Sequence, residues 1–152
     1  MNVAGYSDAM AASVSVEISP GLIIQVASIP GITILKLFAW SDRGIENPKD
    51  AIDLTSLLKG YYDAGNHERV YEEANQVLAD VDFDPVLACA WLLGNDSAAI
   101  SSPGTKAKLI DLLEGEQRMR LVEDMARALR GQENAIEQTS QLLEQFTKGF
   151  SA

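Results

Sequence analysis

Cysteine and histidine are nearly absent from this chain, which has one of each among its 152 residues, Cys89 and His67. A single cysteine cannot form an internal disulfide, and this favours a reducing compartment, so we predict a cytoplasmic location. One cysteine and one histidine are also too few for a Cys/His zinc site or a Cys–His catalytic pair. We expect Cys89 to be a buried packing residue.

Positive charge is scarce as well. The chain has 12 Lys and Arg against 22 Asp and Glu, its net charge is −10, and its first basic residue is Lys36. Nucleic acids and anionic membranes are both bound by clustered basic side chains, so we expect neither as a partner. No apolar run approaches the roughly 20 residues that span a bilayer. A region without a base before position 36 also does not fit a secretory signal.

Apolar residues nevertheless make up 47% of the chain, enough for a core in what we expect to be a single domain, 1–152. Residues 1–30 predict a short helix and then a β-hairpin. Apolar and polar residues alternate over 14–18, Pro20-Gly21 is typical of a turn, and Leu22 to Ile29 returns as a more apolar strand. The hairpin therefore forms the β part of the fold.

The remaining residues, 31–150, show helical periodicity interrupted by short links that contain Gly or Pro. Short links place successive helices side by side and antiparallel. We therefore predict an α+β fold in which the N-terminal β-hairpin is followed by a bundle of about six to seven α-helices. The predicted helical segments are 31–43, 48–64, 67–80, 85–93, 103–114, 117–130 and 133–150.

A lone hairpin is marginally stable and leaves unpaired backbone groups at both edges. The apolar content of the strand Leu22 to Ile29 calls for cover on both faces. Either residues 1–12 supply that cover or another chain pairs with the edge. We therefore predict a homodimer formed through the β-hairpin edge, with another protein as the further partner class.

Charged residues lie unusually close to an apolar helix between positions 36 and 53. Lys36, Trp40 and Arg43 are spaced i, i+4 and i+7, so they share one helix face. Asp50 and Asp53 share the first turn of the next helix, where the helix dipole favours acids. The short link brings two cations and two carboxylates together. This arrangement predicts either an ion-paired clamp between the helices or a phosphate site.

A family resemblance covers most of the chain, and two segments carry its most specific part: Pro-Gly-Ile-Thr-Ile-Leu-Lys-Leu-Phe-Ala-Trp-Ser-Asp-Arg at 30–43 and Pro-Lys-Asp-Ala-Ile-Asp-Leu-Thr-Ser-Leu-Leu at 48–58. They resemble the later part of AbiEii-like predicted nucleotidyltransferases, whose fold is similar to that of DNA polymerase β-type transferases. Some members are toxins of abortive-infection or toxin–antitoxin systems. The resemblance implies that nucleotide or phosphate binding falls to Lys36, Arg43, Lys49, Asp50 and Asp53.

The metal-binding motif of such enzymes, a Gly-Ser turn and an Asp-x-Asp pair on a strand, has no counterpart here. The chain has no Gly-Ser dipeptide, and the Asp-x-Asp letters at 80–84 fall in an interhelical turn. Two-metal phosphoryl transfer needs those carboxylates. We therefore assign no catalytic residue, no metal ligand and no cofactor. We expect magnesium and a nucleoside triphosphate to bind only if a partner chain restores the activity of the family.

Three hypotheses follow. The first is a truncated nucleotidyltransferase-like protein, non-catalytic alone, that acts as a binding or assembly module and is related to toxin–antitoxin systems. The second is a nucleotidyltransferase subunit completed by another polypeptide. The third is an unrelated dimeric helical scaffold or regulatory protein.

Overall fold

A two-stranded hairpin precedes a helical bundle in the computed structural model, which describes residues 5–152. The predicted α+β class is therefore confirmed, although residues 1–4 of the predicted domain lie outside the described range. A short helix, α1, comes first, and eight α-helices follow the hairpin within the described range. The elements are α1 (Tyr6–Ala11), β1 (Val14–Ser19), β2 (Leu22–Val26), α2 (Ile29–Arg43), α3 (Lys49–Gly60), α4 (His67–Glu73), α5 (Asn75–Asp80), α6 (Pro85–Ile100), α7 (Pro103–Glu114), α8 (Arg118–Ala126) and α9 (Ala135–Phe150).

The helix count exceeds the prediction because segment 67–80 is broken into α4 and α5. The backbone of Ala74 leaves the helical region, with φ −121° and ψ 23°, while its side chain stays buried. The break lets both short helices pack against α6. Periodicity alone did not reveal it, because apolar residues continue at helical spacing through the break.

Gly94 was predicted to end a helix, and this prediction was wrong. Helix α6 continues through Gly94 to Ile100 because Gly94 lies where α6 meets α9. A Cβ on Gly94 would overlap the carbonyl oxygen of Phe146, and a Cβ on Gly149 would overlap that of Trp91. Two glycines thus let the helix backbones approach closely, which brings the longest helices into direct contact.

The return strand of the hairpin is shorter than predicted. β2 ends at Val26, and Ile29 and Pro30 already belong to α2, whose N-cap Ser28 accepts a hydrogen bond from the backbone N–H of Gly31 at 3.3 Å. A Ser N-cap followed closely by Pro is strong helix-start chemistry. It outweighs the strand propensity of the preceding apolar run, so the helix begins there.

The core lies among α2, α3, α6, α8 and α9. Trp40, Leu93, Met125 and Phe146 are among its largest fully buried side chains, and Cys89 is fully buried as predicted. Every residue of both strands, by contrast, stays exposed. Among residues 5–152, the helices are all too short or too polar to cross a membrane.

Candidate functional site

Four of the five predicted site residues meet where α2 lies against α3. The Lys36 ammonium lies 2.9 Å from Oδ1 of Asp50 and 2.6 Å from Oδ2 of Asp53. Arg43 donates from Nε to Oδ2 of Asp50 at 2.9 Å and from Nη2 to Oδ1 at 3.3 Å. We call these four side chains the α2–α3 charge cluster. Asp50 is its centre, since it accepts from both cations.

The link between α2 and α3 sets this geometry. The N–H of Gly44 donates to the carbonyl of Trp40, which closes the last turn of α2. The side chain of Asn47 then accepts a hydrogen bond at 3.0 Å from the N–H of Lys49, the first residue of α3. Asp50 lies in the first turn of α3 and Asp53 three residues later on the same side, so both carboxylates face the C-terminal half of α2.

Burial differs sharply within the cluster. The side chain of Asp50 is 3% exposed, Lys36 28%, Asp53 37% and Arg43 60%. Burial is the largest influence on the pKa of Asp50 and by itself would raise it. The hydrogen bonds and charges of Arg43 and Lys36 together outweigh burial, so the pKa of Asp50 lies below its ordinary value.

The pKa values of the two basic side chains, Lys36 and Arg43, are both raised. Burial lowers the pKa of Lys36, but hydrogen bonds to Asp53 and Asp50 outweigh it and raise the pKa overall. The hydrogen bond to Asp50 raises the pKa of Arg43. The cluster thus pairs two basic side chains with two acidic ones. The cluster offers no surplus positive charge to a phosphate.

Lys49 does not join the cluster. Its side chain is exposed and forms no hydrogen bond or ion pair with the part of the chain that the structure describes. The prediction that Lys49 shares a phosphate site with the other four residues is therefore not supported by a contact. Its position at the first turn of α3 turns it away from the buried side of the helix.

The Asp-x-Asp letters lie in the turn between α5 and α6, as predicted. Asp84 accepts hydrogen bonds from the N–H groups of Val86 and Leu87 and caps α6. The backbone of Asp82 has a positive φ of 52°. Within residues 5–152, no three His, Cys, Asp or Glu side chains are grouped so that they could hold a metal ion.

A second charged network was missed by sequence reasoning. Arg69 donates to both carboxylate oxygens of Asp96 at 2.9 and 3.0 Å and to both of Glu73 at 2.8 and 2.9 Å. It also donates to Oδ1 of Asn66 at 2.9 Å, and Tyr61 donates to Asp96 at 2.6 Å. All five N–H groups of Arg69 are thus occupied. Only the Arg69–Glu73 spacing of i, i+4 was visible in the sequence.

A third network surrounds Trp40, whose indole N–H donates to Asp124 at 3.0 Å in the buried interior. The guanidinium of Arg120 lies over the Trp40 ring, 5.0 Å from its centroid, and Arg127 pairs with Asp124 at 3.2 Å. These contacts join α2 to α8 across 84 positions. They hold the helix that carries Lys36 and Arg43 in place.

An open cleft of about 560 Å³ lies between α2, α7 and the link that joins α7 to α8. Its charged lining is mixed, with Lys108 beside Asp111 and Glu116, and it includes no member of the α2–α3 charge cluster. This cleft and the predicted site residues are therefore separate, which does not favour a nucleotide pocket built on the cluster.

Comparison with known proteins found no matching family model, no similar curated protein and no similar solved structure. The AbiEii-like resemblance therefore stays a prediction, and the interpretation of the site depends on its own geometry.

Proposed function

We propose that this chain is a non-catalytic assembly module, in which the α2–α3 charge cluster clamps two helices and the hairpin joins two copies of the chain. The observation that carries the proposal is the exposed hairpin. Seven large apolar side chains of the two strands are between 36% and 61% exposed: Val14, Val16, Ile18, Leu22, Ile23, Ile24 and Val26. Exposed apolar side chains in this number are typical of an interaction site.

The hairpin carries little of the charge and proline that keep strand edges apart, and its one irregularity is a register shift between Glu17 and Ser19. Its only charged residue is Glu17, and its only proline, Pro20, lies in the turn. Native edge strands that remain single are protected by Lys, Pro or covering elements. The shortage of protecting side chains within the hairpin supports association rather than an isolated edge.

The available apolar surface is enough for a reversible dimer. Burying the exposed half of one such side chain contributes about 1 kcal/mol, so two hairpins together contribute on the order of 10 kcal/mol. Association costs at least about 4 kcal/mol in lost rotational and translational freedom. The difference corresponds to a dissociation constant in the micromolar range or weaker.

The charge cluster supports the non-catalytic part of the proposal. Each cation of the cluster already has a carboxylate partner within 2.9 Å. A phosphate would have to displace Asp50, which would leave that buried carboxylate without partners. We propose that the chain is related to nucleotidyltransferases and has a role in a toxin–antitoxin system. We also propose a cytoplasmic location.

One pair of measurements tests this function. Sedimentation equilibrium should show a concentration-dependent dimer below about 100 µM, and a chain that stays monomeric there would refute the assembly role. Calorimetric titration with magnesium and each nucleoside triphosphate should show no binding.

The alternative, a transferase subunit completed by another polypeptide, predicts a different titration. Magnesium-dependent nucleotide binding that is lost in Lys36→Ala but kept in Lys59→Ala, with both variants folded by circular dichroism, would support that alternative. Lys59 is the matched control because it is an exposed lysine at the far end of α3.

A further inference from the structure

The cleft between α2, α7 and the link that joins α7 to α8 has the size of a small-molecule site. Its volume of about 560 Å³ lies inside the range of about 300–1,000 Å³ that is typical of ligand pockets. Two of its lining residues, Phe38 and Leu112, are only 5% and 7% exposed, so they form an apolar floor. Such a floor suits the apolar part of a small ligand.

The acidic side chains that line the cleft have no partners within the described range. Asp111 and Glu116 are exposed, and neither side chain forms a hydrogen bond or ion pair with any of residues 5–152. Lys108 lies one turn before Asp111 on α7, yet these two side chains do not pair. The α2–α3 charge cluster differs, because its acids and bases are paired with each other. The cleft therefore leaves two carboxyl groups available to a ligand.

The C-terminal end of α7 adds negative potential at the same place. The helix ends at Glu114, and the next residue, Gly115, lines the cleft. Carbonyl oxygens at a helix C-terminus carry the negative end of the helix dipole and favour positive groups. Arg118 donates to the carbonyl of Leu113 at 3.1 Å but does not belong to the lining. Two acids and a helix C-terminus thus outweigh the single base of the lining, Lys108.

We propose that this cleft binds a small organic cation, in which a primary ammonium or guanidinium group is carried on an apolar body. The apolar body packs on Phe38 and Leu112, and the cationic group donates hydrogen bonds to Asp111 and Glu116. Both cationic groups are donors without an acceptor, so they match carboxylates. The net charge of −10 attracts cations to the whole chain. The inference is independent of the assembly role, because the lining contains no residue of the hairpin.

Lys108 distinguishes a cation from a zwitterion. A cation is repelled by the like charge of Lys108, so Lys108→Met should strengthen its binding by about twofold or more. A zwitterion such as an amino acid would pair its own carboxylate with Lys108, and the same substitution would weaken its binding. The direction of the change therefore identifies the class of ligand.

Calorimetric titration with phenethylamine tests the proposal, because this probe carries one ammonium group on a phenyl body. We expect a dissociation constant of about 1 mM or tighter at low salt. The affinity should fall by about threefold or more between about 20 and 200 mM salt, since salt screens exposed charges. Phenethyl alcohol has the same body without the charge and should bind about tenfold more weakly.

Variants of exposed lining residues connect the binding to the cleft. Asp111→Asn and Glu116→Gln should each weaken phenethylamine binding by about fivefold. Ser41→Trp fills the cleft and should abolish binding. The matched control Glu123→Gln removes an exposed acid of α8 outside the cleft and should change the affinity by less than about twofold. All four sites are exposed, so circular dichroism should show folded protein for each variant.

The opposite results would overturn the proposal. Phenethylamine that does not bind at about 10 mM refutes it, whatever the oligomeric state of the chain. Binding that survives Ser41→Trp places the amine outside the cleft. Phenylalanine that binds more tightly than phenethylamine, with affinity lost in Lys108→Met, indicates a zwitterion instead. A blocked lysine amide presents the ammonium group of a partner protein's side chain, and tighter binding of this probe than of phenethylamine refutes a small-molecule ligand.

Discussion

Asp50→Asn is the substitution that most directly tests whether the α2–α3 charge cluster is a structural clamp. Asparagine has nearly the same shape, so the change removes a charge without opening a cavity. It leaves Lys36 paired only with Asp53 and leaves Arg43 without its carboxylate.

The size of the effect follows from burial. Breaking a fully buried pair costs about 3–5 kcal/mol. Asp50 is 3% exposed, but Arg43 is 60% exposed and can turn to water. We therefore expect a loss of about 2–3 kcal/mol in the free energy of unfolding, which for this chain length lowers the Tm by roughly 5–10 °C.

Asp53→Asn is the matched control. This carboxylate lies one turn further along the same helix, is 37% exposed, and among residues 5–152 forms an ion pair with Lys36 alone. Solvent screens such a pair, so the expected loss is under about 1 kcal/mol. Urea denaturation of the two variants beside the unmodified chain measures the difference.

The same variant makes a prediction about pH. The pKa of Asp50 is lowered in the folded state from its ordinary value of 3.8. Its stabilising contribution is therefore complete above the unfolded-state pKa, about 3.9, and is lost as the pH falls through the lower folded-state pKa. Below about pH 4, the free energy of unfolding of Asp50→Asn should therefore fall less steeply with decreasing pH than that of the unmodified chain.

Two results would refute the clamp. Equal losses for Asp50→Asn and Asp53→Asn would show that burial does not set the strength of the cluster. A gain in stability from Asp50→Asn would mean that the charges are retained at a cost, as they are in binding sites, and would favour the phosphate interpretation.

Three further changes test other parts of the bundle. Gly94→Ala should destabilise the chain by about 3 kcal/mol in urea because its Cβ overlaps the α9 backbone, whereas Gly60→Ala, with open space around it, should be nearly neutral. Arg69→Lys replaces five hydrogen-bonded N–H groups by one ammonium group and should lower the Tm by several degrees. The control Arg130→Lys, at an exposed residue, should leave the Tm unchanged. Cys89 should resist a thiol reagent in the native state at about pH 8 and react only on unfolding, because burial raises its pKa to about 12; rapid native modification would contradict this.

Local chemistry explains why the helix starts were predictable. Asp84-Pro85 and Ser102-Pro103 each place a capping side chain before a proline, and both segments begin helices as predicted. The pairing of Lys36 with Asp50 was predictable for a related reason. The two helices are consecutive and joined by a short link, so few arrangements are available to them.

Contacts between distant helices were not predictable in the same way. Arg69 and Asp96 are 27 positions apart on helices that are not consecutive, and no spacing rule connects them. The glycine at 94 reads locally as a helix stop, yet it is the point where α6 touches α9. In both cases the deciding partner is set by packing over the whole bundle.

The exposed hairpin also depended on the tertiary structure. Alternation and the Pro20-Gly21 turn predicted two strands, and the structure contains them. Whether residues 1–12 would cover them was left open. Among the described residues, α1 packs against α2 and α6, and the strands remain exposed.

From the sequence alone came the α+β class, the place of the hairpin, most helix starts and the pairing of two cations with two carboxylates. These depend on caps, turns and periodicity within a few consecutive turns of chain. Only the tertiary structure decided the break at Ala74, the close approach of α6 and α9, the Arg69 network and the solvent exposure of the hairpin. These depend on which distant surfaces meet, because burial and backbone contact are properties of the packed whole.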